Sequence, residues 1–169
     1  IQNYDANGPY YRIKTPDTVI VCILTQKNNL LLIEQFRPNL NRKTKEFVAG
    51  YVDPNETPPE AAKRETLEEA GLDVKLIPIG KSKLLLNRFV NNDFLFLGLA
   101  DEQKISNNSN VILYCREKFS QEILESNFEQ LAGLGLISVI NVKFKLNFLD
   151  DNNIYNKLLD IYENKKYSP

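Results

Sequence analysis

Residues 50–72, GYVDPNETPPEAAKRETLEEAGL, decide how this chain is read. The stretch is a loop, a helix and a stop. Thr57 is a good N-cap and Glu60 follows at N3, the spacing of a capping box. Pro58 and Pro59 fall in the first turn, where a missing N–H costs nothing. Gly71 stands where a C′ glycine ends a helix. The spacing predicts a helix over Pro58–Ala70.

At about 100° per residue, Ala61, Ala62, Glu65, Glu68 and Glu69 share one helix face. Like charges at i,i+3 or i,i+4 repel by about 0.2–0.5 kcal/mol per pair. Lys63 points away, and Arg64 lies at the edge of the cluster, within i,i+4 reach of Glu60 and Glu68. The crowded acids need a cation, and the small alanines are expected to leave room for one. Carboxylates with no His or Cys nearby favour a hard divalent ion, Mg²⁺ or Mn²⁺. Glu56, in the preceding loop, is a further oxygen ligand or supports the ligands from behind. A run of carboxylates on a helix is often only a solvated face. The wider spacing weighs against that here.

The chain has 169 residues, 43% apolar and 25% charged, with a formal net charge of −1. That is enough for one domain with a core, expected over residues 1–169. The charge gives no electrostatic case for a nucleic acid or a membrane surface. No apolar run approaches the roughly 20 residues that span a bilayer. The start carries no signal-peptide pattern, and the missing initiator Met leaves the true N-terminus open. There is no histidine, which removes Ser-His-Asp, Cys-His and His-ligated zinc chemistry together. Cys22 and Cys115 lie in apolar runs and read as buried core thiols in a reducing cytoplasm.

Residues 1–17 are polar and turn-rich, an N-terminal extension or an edge strand around Tyr10, Tyr11 and Ile13. TVIVCILT from Thr18 and LLLIEQF from Leu30 read as a hairpin, and their continuous apolar character predicts cover on both faces. A polar loop through Asn41, Arg42 and Lys43 leads to one short strand, residues 45–49. After the helix, residues 73–79 and 89–99 read as strands, with 80–88 ambiguous. A polar loop over 101–110, a strand VILYC from Val111 and a helix over 120–131 follow. Gly133 and Gly135 are expected to interrupt that helix, 136–149 is ambiguous, and Asp150 or Asp151 is expected to cap a last helix bearing Ile154, Leu158 and Ile161.

Gly50, Glu56, Arg64-Glu65, Glu68-Glu69 and Gly71-Leu72, at this spacing, resemble the Nudix box of the Nudix hydrolases. Chance would produce it about once in 10⁸ starting points at average residue usage. Thr66 departs from the usual aliphatic residue. The resemblance implies the α/β Nudix fold, an α/β/α sandwich with a mixed sheet. The segments EQFR (34–37) and EFVAG (46–50) are similar to the ADP-ribose pyrophosphatase and nucleoside-diphosphate-sugar branch, with Val48 in place of the usual Pro. That branch implicates Arg37 and Glu46 near the substrate. Its usual proline about sixteen residues past the box is absent here, which leaves ADP-ribose itself unsecured.

What the resemblance implies is Mg²⁺- or Mn²⁺-dependent hydrolysis of a nucleoside diphosphate linked to another group X. Glu65, Glu68 and Glu69 match the family's metal-ligating glutamates. Ala49 or Gly50 adds a backbone carbonyl, and Arg64 orients Glu68. The general base is a box glutamate or one of Glu102, Glu117 and Glu122. Tyr10, Tyr11 and Phe36 are candidates to stack on a base, though packing suits each of them better. A homodimer is implied by analogy. Other readings are cleavage of nucleoside triphosphates or dinucleoside polyphosphates, RNA cap removal through the basic run Arg42, Lys43 and Lys45, and a non-catalytic nucleotide-binding domain.

Overall fold

A computed structural model describes residues 2–5, 9–83, 86, 89–105 and 109–164, with side chains described from residue 13 onward. Two short strands, β1 (Gln2–Asp5) and β2 (Pro9–Arg12), pair antiparallel as a separate ribbon rather than as an edge of the main sheet. The main sheet has seven strands: β3 (Thr18–Thr25), β4 (Asn29–Arg37), β5 (Arg42–Glu46), β6 (Val48–Tyr51), β7 (Lys75–Ser82), β8 (Asp93–Ala100) and β9 (Val111–Cys115). The helices are α1 (Pro58–Ala70), α2 (Arg116–Leu124), α3 (Leu131–Phe144) and α4 (Ile154–Glu163). The sheet is mixed: β3 runs parallel to β8, and the other pairings are antiparallel.

Cover on both faces is what the continuous apolar text of β3 requires. Val19, Val21 and Ile23 pack with Ala61, Ala62 and Ala70 of α1, while Ile20, Cys22 and Leu24 pack with Leu136, Ile140 and Leu158 of α3 and α4. Successive strand residues point to opposite faces, so one strand feeds two cores. The alanines of α1 therefore serve close helix–sheet approach. Both Ala61 and Ala62 are fully buried against the sheet. Thr66 is fully buried too, and its hydroxyl donates to the Ala62 carbonyl at 2.7 Å, which satisfies it in an apolar layer.

β3 and β4 pair only at Ile23–Leu31 and Leu24–Leu30 and then part. Beyond the parting, β5 continues beside β4 and β6 beside β3. The single strand expected over 45–49 is thus two strands, broken at Phe47. Gln130 holds the break: its side-chain oxygen accepts from the Phe47 N–H at 3.0 Å. The Phe47 ring packs against Phe119 and Phe128, with ring centroids 5.7 and 5.1 Å away.

Several sequence expectations shift. The α2 helix starts earlier, at Arg116, and ends by Leu124. α3 runs straight through Gly133 and Gly135 instead of being interrupted there. A Cβ on Gly133 would lie 2.7 Å from Gln130 and 2.9 Å from Phe47, so this glycine lets the helix sit close to the aromatic cluster. The last helix is capped by Asn153, whose N–H donates to the Asp151 carboxylate at 3.0 Å. Cys22 is buried as expected and burial pushes its thiol pKa up, but Cys115 is exposed. Residues 84, 85, 87 and 88 of the ambiguous 80–88 segment lie outside the described residues, as do the Tyr10 and Tyr11 side chains. Among the described residues no helix is long and apolar enough to cross a membrane.

Phe47 is 1% exposed and touches two other buried rings. Phe47→Ala is expected to lower unfolding free energy by about 3–5 kcal/mol in urea denaturation. A loss below about 1 kcal/mol would show that the aromatic cluster collapses around the gap.

Candidate active site

The turn from β6 into α1 behaves as its residues dictate. The Glu60 carboxylate accepts from the Thr57 N–H at 2.8 Å and from its hydroxyl at 2.6 Å. Those bonds lower the Glu60 pKa and keep the residue away from Arg64. Gly71 takes the left-handed conformation, φ 68°, and its N–H donates to the Leu67 carbonyl at 2.9 Å. α1 is thereby fixed at both ends, with Glu65 and Glu69 on its side toward β6.

Arg64 is the hub of the cluster. Its guanidinium donates to both Glu56 oxygens at 3.0 and 2.9 Å, to Glu65 at 2.7 Å and to the Tyr51 carbonyl at 2.9 Å. Glu68 is a weaker partner at 3.4 Å. The arginine is held charged chiefly by Glu56 and then by Glu65, and the Arg64 bond draws the Glu56 pKa down. Arg64 thus orients Glu56 and Glu65 more than Glu68. Glu56 also accepts from the Asp53 N–H at 3.1 Å, which places it as the partner of Arg64 within the loop.

Glu69 lies on the sheet side. It accepts from the Gln35 amide at 2.6 Å and from the Ala49 N–H at 3.3 Å. Burial pushes its pKa up to about 6, against the lowering effect of those two donors, and Glu65 and Glu46 add repulsion. Glu65 stands against Gly50, where an added Cβ would lie 2.0 Å from its carboxyl group. A side chain here would force the Glu65 carboxylate out of its present place. Glu68 is the solvent-facing member of the set, with its side chain 59% exposed.

Among the described residues no three His, Cys, Asp or Glu side chains already converge as a chelating group. Arg64 supplies the positive charge between Glu56, Glu65 and Glu68 in this arrangement. The donor chemistry still fits a hard divalent ion. It is all oxygen, the carboxylates of Glu56, Glu65 and Glu68 face one guanidinium, and the Ala49 and Gly50 backbone lies beside Glu69 and Glu65.

On the other side of β6 a cleft of about 690 Å³ opens, within the roughly 300–1,000 Å³ usual for small-molecule sites. Arg37, Glu46 and Ala49 line it, as does Gly50, which is therefore shared with the carboxylate cluster. Arg37 binds Glu46 through two bonds of 2.8 and 2.5 Å. Burial works to raise the Glu46 pKa, but the bonds from Arg37 and Thr44 outweigh it and the net shift is downward. Arg42 and Lys45 also line the cleft, paired with Glu129 and Glu122, the latter at 2.9 Å.

The base candidates separate by position. Glu102 accepts from Thr25 at 2.8 Å, at the far end of β3 from Thr18 and about 17 Å along the strand from Ile20 in the cleft floor. Glu122 reaches the cleft through Lys45, and Glu117 is exposed on α2. Sequence reasoning missed Glu129, Asn91 and Asp93, all in the cleft wall. The signal for the last two was a polar NND immediately before the apolar strand FLFLGLA. Phe36 is 57% exposed and does not line the cleft, whereas Tyr51 and Phe89 do.

The NUDIX domain family model matches residues 14–130. The chain belongs to that family and is a Nudix pyrophosphohydrolase, a class that generally works with divalent metal ions on nucleotide substrates. The crystal structure of an ADP compounds hydrolase matches with a TM-score of 0.61 at 17% identity, covering 76% of this chain and 72% of that one. That likeness bears on the fold: the mixed sheet between helical layers is the Nudix fold. No curated protein sequence matches significantly.

Gly50→Ala is expected to displace Glu65 and lower turnover at least tenfold, with an unchanged far-UV spectrum. Assaying hydrolysis beside circular dichroism checks this, and wild-type turnover would show that Glu65 does not depend on the close approach.

Proposed function

We propose that this chain hydrolyses the pyrophosphate bond of a nucleoside diphosphate linked to a sugar, such as ADP-ribose or a nucleotide sugar, with Mg²⁺ or Mn²⁺. The products are a nucleoside monophosphate and a phosphorylated sugar. The observation that carries the reading is Gly50, whose two sides meet the box carboxylates and the cleft. A diphosphate lying across that point presents phosphorus to the acids while the rest of the molecule fills the cleft.

Glu65, Glu68 and Glu69 are the residues proposed to hold the ion, with the Ala49 carbonyl and with Glu56 acting through Arg64. When bound, the ion neutralises phosphate charge and lowers the pKa of water. Arg64 keeps Glu65 aimed at β6. Arg37, Arg42 and Lys45 supply positive charge to the phosphate oxygens from the cleft wall, each set in place by one carboxylate. Water attacks one phosphorus, the bridging P–O bond breaks, and the leaving phosphate takes the electron pair. The proton of the water passes to a carboxylate, for which Glu68, Glu122 and Glu129 are the candidates near the cleft or the box. A homodimer and a single domain over the whole chain belong to the same proposal. Light scattering reads the first.

The test is a product assay with Mg²⁺ on ADP-ribose, ADP- and GDP-sugars, dinucleoside polyphosphates and nucleoside triphosphates, with Glu68→Gln alongside. The expected result is a nucleoside monophosphate and a sugar phosphate from one class, reduced at least a hundredfold in the variant. Cleavage of triphosphates alone would contradict the sugar reading, and full turnover in Glu68→Gln would contradict the role of that carboxylate.

A further inference from the structure

The cleft wall holds one feature that phosphate chemistry does not use. Among the described residues, Asn91 and Asp93 are the only buried polar side chains lining it, 5% and 4% exposed. Asp93 accepts from the Thr18 hydroxyl and, at 3.0 Å, from the Asn91 amide, both through the same oxygen, Oδ1. Its other oxygen, Oδ2, is buried with no hydrogen-bond partner, and so is the side-chain oxygen of Asn91. Two buried acceptors without donors, on two side chains hydrogen-bonded to each other, are rare in a folded protein.

Their place relative to the box is fixed by strand register. Tyr51 of β6 pairs with Thr18 of β3, and Thr18 pairs with Asp93 of β8. Asp93 thus lies two strand spacings from β6, about 10 Å from the junction at Gly50. The intervening floor is Thr18 and Ile20. A carboxylate repels phosphate, so the acidic end of the cleft suits an uncharged, donor-bearing part of the substrate. The basic residues Arg37, Arg42 and Lys45 line another part of its wall.

We propose that Asn91 and Asp93 form a specificity subsite that accepts hydrogen bonds from the vicinal hydroxyls of a sugar in the substrate. This rests on the nucleotide-sugar reading above and adds which part of the molecule is recognised. A cis-diol carries two O–H donors on neighbouring carbons, one for each of the two unpartnered acceptors. The terminal torsions of Asp and Asn are broad and two-fold, so a modest rotation turns the covered oxygens toward a ligand. The diol belongs either to the nucleoside ribose or to the sugar of X.

The experiment compares ADP-ribose with two analogues, one deoxygenated on the adenosine ribose and one on the terminal ribose, using the full chain and Asp93→Asn. In wild type, the analogue lacking the recognised diol is expected to show a KM raised about tenfold with kcat within twofold. Asp93→Asn is expected to raise KM for ADP-ribose by a similar factor and to add nothing for that analogue. The analogue that loses affinity names the sugar. Equal KM for all three compounds in wild type would overturn the subsite and leave the pair as a buried water site. A uniform loss across all three in the variant would make Asp93 structural. If wild type hydrolyses none of them, the functional reading fails. Calorimetric binding of the same compounds in EDTA then decides the subsite separately: discrimination between analogues supports it, and its absence overturns it.

Discussion

Arg64 is the constraint on which the site depends. One guanidinium bridges the loop carboxylate Glu56, the helix carboxylate Glu65 and the Tyr51 carbonyl of β6. Those groups come from three consecutive pieces of chain, and the guanidinium ties them together in addition to the β3–β6 pairing and the packing of α1 on the sheet. The bridge also resolves an electrostatic conflict. Glu56, Glu65, Glu68 and Glu69 repel one another, and the arginine offsets part of that while leaving the cluster negative. A divalent cation entering this field would meet a net negative set of oxygen donors. Lysine would carry the same charge but could not bind two carboxylates and a carbonyl in one planar fork.

The second constraint is the parting of β3 and β4. A hairpin paired along its full length would leave no cleft. Because pairing stops after Ile23–Leu31, β5 follows one strand and β6 the other. Phe47 sits between them, locked by Gln130 and by the Phe119 and Phe128 rings. This aromatic lock also fixes Ala49 and Gly50, two and three residues further along the chain. Core packing and catalytic geometry therefore share the same short segment.

The sequence made local features legible and long-range ones opaque. α1 was readable because its cap, prolines and terminal glycine lie within one short stretch, and the box carboxylates share its face. The two-faced burial of β3 was readable from its unbroken apolar run. Gly133 was misread because its reason lies in contact with Phe47, far away in sequence, and no local propensity records that. Ala61 and Ala62 read as space for an ion, but the sheet they approach is what makes them small. Asp93 was passed over because its burial follows from pairing with Thr18 across parallel strands. Glu102 sits beside Thr25, at the end of β3 away from the cleft, a separation that only the strand's length and direction set.

The account stands or falls on whether the box carboxylates bind a divalent ion despite the arginine among them. Electron paramagnetic resonance of a Mn²⁺ titration, on wild type and on Glu65→Gln and Glu69→Gln, measures this without any substrate. The account predicts saturable Mn²⁺ binding in wild type, weakened at least tenfold in each variant and competed by Mg²⁺. Binding that is absent in wild type, or unchanged in both variants, would contradict it.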